Sequence, residues 1–193
     1  MQFIPTEIPE VIIIQPRVFG DDRGYFMESF RRDIFNREIP DISFVQDNES
    51  MSNYGVLRGL HYQLPPHAQS KLVRVSTGRV LDVSVDIRTR SPFFGKYVSV
   101  ELSAENKRQL YIPAGFAHGF VVLSDKAVFQ YKVDNLYSRD HERGISYNDP
   151  QIGIDWKLPW DQLILSEKDM TNPCLKDAEV FRWNILINFN ITI

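Results

Sequence analysis

The feature that most restricts the fold is a pair of alternating runs, Lys71–Thr77 (KLVRVST) and residues 80–87 (VLDVSVDI), separated by Gly78-Arg79. In the second run Leu81, Val83, Val85 and Ile87 fall on one side, and Asp82, Ser84 and Asp86 on the other. A period of two belongs to a strand, because successive side chains point to opposite faces. Two such runs across a two-residue connection containing glycine read as a β-hairpin. Further strands are expected at residues 11–18, 44–48, 56–64, 97–102, Gln109–Ile112, 119–123 and 127–133. Turn-forming stretches such as Ser91-Pro92 and Pro113-Ala114-Gly115 separate them. Helical signal is thin: two turns over 31–38 and a short helix after Asp161. Many short strands with no internal repeat or linker predict one all-β domain over residues 1–193, a sandwich or barrel with short flanking helices. Its core runs from about 11 to about 178, and an extension covers about 179–193. The apolar last stretch, 181–193, reads as an edge strand or a dimer contact.

Composition narrows the function. Hydrophobic residues make up 43% and charged residues 24% of 193, as in an ordinary globular chain. The net charge of −3 carries no mark of a nucleic-acid partner. A single cysteine, Cys174, rules out an intramolecular disulfide and a thiolate-rich zinc site. The opening MQFIPTEIPEV lacks the basic-then-apolar form of a signal peptide, and no apolar run approaches a membrane span. A soluble cytoplasmic protein without membrane association is therefore expected.

Two segments carry chemistry: residues 56–64 (VLRGLHYQL), with Lys71 soon after, and residues 111–120 (YIPAGFAHGF). The Pro113-x-Gly115-x-x-His118 pattern resembles the second signature of the cupin superfamily, which implies a jelly-roll β-barrel with His118 entering its mouth. Metal-binding cupins also carry a His-x-His signature. Here His61 is followed by Tyr62 and Gln63, and the four histidines (His61, His67, His118, His141) have no ligand-like spacing. No metal is expected. On the predicted faces, Lys71 lies with Val73 and Val75, and Tyr131 with Ala127, Phe129 and Val133. A lysine aimed into a small barrel is costly unless paired or used. A base, a cation for an oxyanion and a weak acid are the parts needed to move a proton beside a carbonyl.

Longer motifs are more specific: DRGYFME (22–28), FVQDNES (44–50), GVLRGLHYQ (55–63), KLVRV (71–75), IPAGFAHGF (112–120), Tyr131-Lys132, Asn148-Asp149-Pro150 and LSEKD (165–169). In this order they resemble the dTDP-4-dehydrorhamnose 3,5-epimerase family over about residues 11–178. The resemblance implies that His61 is the general base and Asp169 its carboxylate partner. It implies that Tyr131 is the acid on the opposite sugar face, that Lys71 holds the C4 oxyanion and that His118 lines the sugar site. Arg23, Glu28, Gln46, Asp47, Asn48, Arg58, Glu142 and Lys168 match positions that contact nucleotide, diphosphate or sugar. The implied substrate is a dTDP-4-keto-6-deoxyhexose inverted at C3 and C5, with no cofactor. A homodimer is implied too, covering exposed strand edges such as 11–18 and supplying the region of Arg23 and Glu28 across the interface. The chain departs from the family at Val133-Asp134 and beyond about Glu179. The rival readings are a single-centre epimerase or ketoisomerase, a metal-dependent cupin, and a non-catalytic sugar-binding module. The chain has no Gly-x-Gly-x-x-Gly dinucleotide fingerprint.

Overall fold

The computed structural model describes residues 1–181. Apart from Phe181, the C-terminal run expected to be a strand lies outside the described residues. Among the described residues there are thirteen strands: β1 Gln2–Pro5, β2 Ile12–Gln15, β3 Val18–Asp21, β4 Gly24–Met27, β5 Gln46–Asn53, β6 Leu57–Gln63, β7 Lys71–Thr77, β8 Arg79–Asp86, β9 Tyr97–Ser103, β10 Gln109–Ile112, β11 Phe116–Val122, β12 Lys126–Val133 and β13 Glu142–Gly144. Two short helices, α1 Arg32–Glu38 and α2 Glu167–Met170, fall where helical signal was expected. An antiparallel six-stranded sheet, β1-β2-β10-β7-β12-β5, faces a five-stranded one, β13-β6-β11-β8-β9, and β3-β4 form a separate ribbon. This is the jelly-roll arrangement. Among the described residues the two sheets face one another and no strand pairing merges them into a closed barrel.

The hairpin expected across Gly78-Arg79 does not form. β7 pairs with β10 and β12 in one sheet, while β8 pairs with β9 and β11 in the other. Both runs are central strands whose two hydrogen-bonding edges are already taken, so they cannot pair with each other. The chain instead crosses between the sheets at Gly78. Its φ is +73°, and a Cβ there would lie 2.0 Å from the Lys126 carbonyl oxygen. A second crossing, from β10 to β11, runs through the Pro113-Ala114-Gly115 turn. The 11–18 run is also shorter than expected, and it is no edge: β1 covers β2. Among the described residues the open edges of the larger sheet are β1 and β5.

The core lies in two layers around the five-stranded sheet. Between the sheets pack Val73, Val75, Val98, Val100, Leu110, Phe116, Phe120 and Phe129. Behind the smaller sheet Leu81, Val83, Val85 and Ile87 pack against Ile152, Ile154, Trp156 and Leu175. The polar face of β8 therefore points inward, between the sheets, and Asp82, Ser84 and Asp86 are all fully buried. On the outer face of the larger sheet, Phe35 of α1 anchors a cluster with Phe3, Phe30, Phe44 and Tyr111. No helix among the described residues is long and apolar enough to cross a membrane.

Candidate active site

A cavity of about 520 Å³ opens between the sheets. His61, His118, Arg58, Lys168 and Asp169 reach it from the smaller sheet and the segment behind it. Lys71, Tyr131 and Asn48 reach it from the larger sheet. Strand parity accounts for Lys71 and Tyr131, which lie on the inward faces of β7 and β12 with Val73, Val75 and Phe129. It does not account for Arg58 and His61, which are three residues apart yet share a face. A bulge in β6 supplies the extra residue: Arg58 pairs with Phe120 and His61 with His118, so three steps on β6 oppose two on β11. The bulge needs glycine on both strands. Gly59 has φ +120°, and a Cβ on it would sit 2.6 Å from Gly119 Cα; a Cβ on Gly119 would sit 2.6 Å from the Arg58 carbonyl oxygen.

His61 Nε2 lies 2.5 Å from Asp169 Oδ1. Asp169 is buried at the end of α2, whose N-cap hydroxyl, Ser166 Oγ, accepts a hydrogen bond from the Asp169 N–H at 3.2 Å. Burial alone would raise the Asp169 carboxyl, but hydrogen bonds from His61, Ser166 and the Gly59 backbone outweigh it and hold the group below its usual range. It stands as a carboxylate against the imidazole and orients the ring. His118 is bonded in the same way, with Nε2 2.9 Å from Asp82 Oδ2. Deep burial pushes its pKa down despite the Asp82 charge, and Lys71 and His61 add to that effect.

Burial brings Lys71 down to about 8, against the opposing pull of Asp82 and Glu142. Burial raises the Tyr131 phenol, while the Arg58 charge works the other way. The cavity therefore holds a carboxylate-backed imidazole on one sheet. The facing sheet holds a protonated phenol and a desolvated ammonium. At the rim, Lys168 Nζ meets Glu142 Oε2 at 2.6 Å, and Tyr137 donates to the same carboxylate oxygen at 2.8 Å. Burial would raise Glu142, but these two partners keep it below its usual range.

Other sequence-predicted residues are not gathered here. Gln46 donates to Asn48 Oδ1 at 2.8 Å. Asp47 points to the other side of the larger sheet, where Lys132 donates to it at 2.7 Å. It lines a separate hollow of about 300 Å³. Arg23 sits at the tip of the β3-β4 ribbon and pairs with Asp21 at 2.6 Å, and Glu28 faces Arg31 at 3.7 Å. Sequence reasoning missed Asp82, Ser84, Ser166 and Tyr137. Ser166 was open to detection, since Ser166-x-x-Asp169 has the spacing of an N-capping motif. Tyr137 carried no signal. Among the described residues no group of three or more His, Cys, Asp or Glu is placed to hold a metal ion.

The family model described as dTDP-4-dehydrorhamnose 3,5-epimerase matches residues 5–177. A dTDP-4-dehydrorhamnose 3,5-epimerase of Shigella flexneri is 57% identical over 94% of this chain and 99% of its own length. A Legionella pneumophila dTDP-6-deoxy-D-glucose-3,5-epimerase, solved in complex with dTDP-4-keto-L-rhamnose, superposes with a TM-score of 0.90. It is 48% identical over 95% of this chain and 98% of its own. A 3'-monoepimerase of Streptomyces bikiniensis, solved with dTDP-quinovose, reaches a TM-score of 0.83 at 34% identity, over 89% of this chain and 87% of its own. With a match that spans both sheets, the cavity between them and the helix carrying Asp169, the chain belongs to the dTDP-4-dehydrorhamnose 3,5-epimerase family.

Proposed function

We propose that this enzyme inverts C3 and C5 of dTDP-4-dehydro-6-deoxy-D-glucose, giving dTDP-4-dehydro-L-rhamnose, in the cavity between the two sheets. Hydrogens at both carbons are acidic because each is alpha to the C4 ketone. The ring nitrogen of His61 not bonded to Asp169 takes a proton. The C–H electron pair becomes an enolate, with its charge on the C4 oxygen. Lys71 offers an ammonium to that oxygen inside a part-desolvated cavity, where a fixed charge acts more strongly than in water. Tyr131 returns a proton to the same carbon from the opposite face, which inverts it. The observation that carries this reading is that His61–Asp169 and Tyr131 line one cavity from facing sheets. A sugar ring lying between them meets a base on one face and an acid on the other. Glu142, Lys168, Arg58, His118 and Asn48 are assigned to holding the substrate, and nothing in the scheme calls for a cofactor.

The Streptomyces bikiniensis relative shows that closely similar folds serve single-centre enzymes, so the count of inverted centres is the decisive measurement. Incubation with dTDP-4-keto-6-deoxyglucose in D2O, read by mass spectrometry, is expected to give product carrying two solvent deuterons. One deuteron would mean a single-centre epimerase, and none a binding module.

The same proposal includes a homodimer. Phe19, Tyr25 and Phe26 on the β3-β4 ribbon are 50%, 57% and 65% exposed, and β5 is an open edge carrying the exposed Met51. A ribbon of aromatic residues and an unpaired strand edge are both surfaces that a second copy can cover. This arrangement would also explain why Arg23 and Glu28 stand apart from their own cavity: they are assigned to the partner's nucleotide. Light scattering at micromolar concentration is expected to return a dimer. A fully active monomer would contradict the assignment.

A further inference from the structure

Asp82 and Ser84 stand on the inward face of β8, both fully buried, and both carry a side-chain oxygen with no hydrogen-bond partner among the described residues. Asp82 uses one carboxylate oxygen, Oδ2, to bind His118 Nε2 at 2.9 Å, and its other oxygen, Oδ1, is unsatisfied. Ser84 pairs with His118 across the β8·β11 ladder, so its hydroxyl lies on the same interior face, two residues from Asp82. A buried polar atom left without a partner is destabilising, and more so when charged. Two such atoms two residues apart on one inward strand face are therefore not neutral features. The Asp82 charge acts on Lys71, which forms no direct ion pair with it. One water needs two to four polar partners, and Asp82 Oδ1, Ser84 Oγ and the Lys71 ammonium are three.

We propose that Asp82 is the positioning residue of the oxyanion site: it fixes the His118 ring with one oxygen, and through a buried water shared with Ser84 it holds the Lys71 ammonium charged and aimed at the ketone oxygen. This inference rests on the reading of Lys71 given above. It explains why a carboxylate is kept in the interior of the sandwich, where its desolvation is expensive. Asp82 and Glu142 are the carboxylates acting on Lys71, from β8 and β13. The other charged or titratable groups around the cavity are His118 on β11, His61 and Arg58 on β6, Glu49 on β5, Tyr131 on β12, and Lys168 with Asp169 on α2. Of these, Asp82 alone is joined to a second cavity side chain and also left with an unsatisfied oxygen.

The alkaline limb of the kcat/KM profile tests the assignment. Lys71 loses its proton as pH rises through about 8. Removing the Asp82 charge leaves burial less opposed, so the ammonium form should be lost at lower pH. Asp82→Asn keeps the shape of the side chain and is expected to move the alkaline limb acidward by about one pH unit, with activity at pH 8 down roughly fivefold. Ser84→Ala removes a hydroxyl with no partner among the described residues, so it should fold normally; it is expected to move the limb in the same direction by a smaller step. Thermal melting and dTDP binding serve as checks on folding. An alkaline limb unmoved in both folded variants would overturn the proposal, as would a Ser84→Ala enzyme identical to the parent where Asp82→Asn fails to fold. Lys71→Ala separates the two levels of inference. Full turnover in that variant would sink the reading of Lys71 itself. Its loss, together with an unshifted Asp82→Asn profile, would sink only the role of Asp82.

Discussion

His61→Ala is expected to lose epimerisation at both carbons while keeping its fold and its affinity for dTDP. Removing a general base typically costs about 10²–10⁴-fold, and here the loss applies to each of two half-reactions that begin with proton abstraction. The structural cost should be small, because the ring is only part-buried and faces a cavity. One side effect follows from its partner. Asp169 would keep its hydrogen bonds from Ser166 and the Gly59 backbone but lose His61, so its carboxyl should move up from its depressed value. Turnover and solvent-deuterium incorporation should fall together, since both require the same first step. Near-normal turnover would move the base elsewhere. His118 would then be the first candidate, although its bond to Asp82 and its lowered pKa suit it better to a neutral, fixed role.

Tyr131→Phe is expected to separate the two proton transfers. Only the hydroxyl is removed, and the ring can still pack beside Phe129, with its centroid 6.1 Å away. His61 can still take a proton, and the enolate can still sit against Lys71. Reprotonation from the original side would return unchanged substrate carrying solvent deuterium. Hydrogen exchange should therefore persist while inversion falls by about 10²-fold or more, the usual contribution of a placed acid. Because burial raises the phenol pKa, the wild-type group remains protonated across the neutral range, so its removal should matter equally at pH 6 and pH 8. Loss of exchange and inversion together, with dTDP binding intact, would make Tyr131 necessary for the first step. Normal inversion at both centres would mean that water or another side chain supplies the second proton.

Much of this was legible in the residues. Period-two alternation placed Lys71 with Val73 and Val75, and Tyr131 with Phe129, and those faces do point between the sheets. Motif order indicated the family, and family membership follows from the comparisons. The absent strands in the expectation, β1, β3, β4 and β13, are three or four residues long, too short for a periodic signal to build. The Ser166 cap was written in the sequence at its proper spacing and went unread.

The sequence by itself determined the orientation of side chains about each strand's own axis, because alternation is a local property of a pleated chain. Tertiary structure alone decided which strand lies beside which. β7 and β8 are neighbours in sequence and belong to opposite sheets, since each needs two partners and a hairpin would supply one. The polar face of β8, which alternation would send to solvent, is buried because that strand is covered on both sides. Arg58 and His61 share a face only through a bulge that two facing glycines permit. The His61–Asp169 pair joins residues 108 positions apart. No local pattern encodes that contact; it exists because the segment after Ile164 folds back to place α2 against β6.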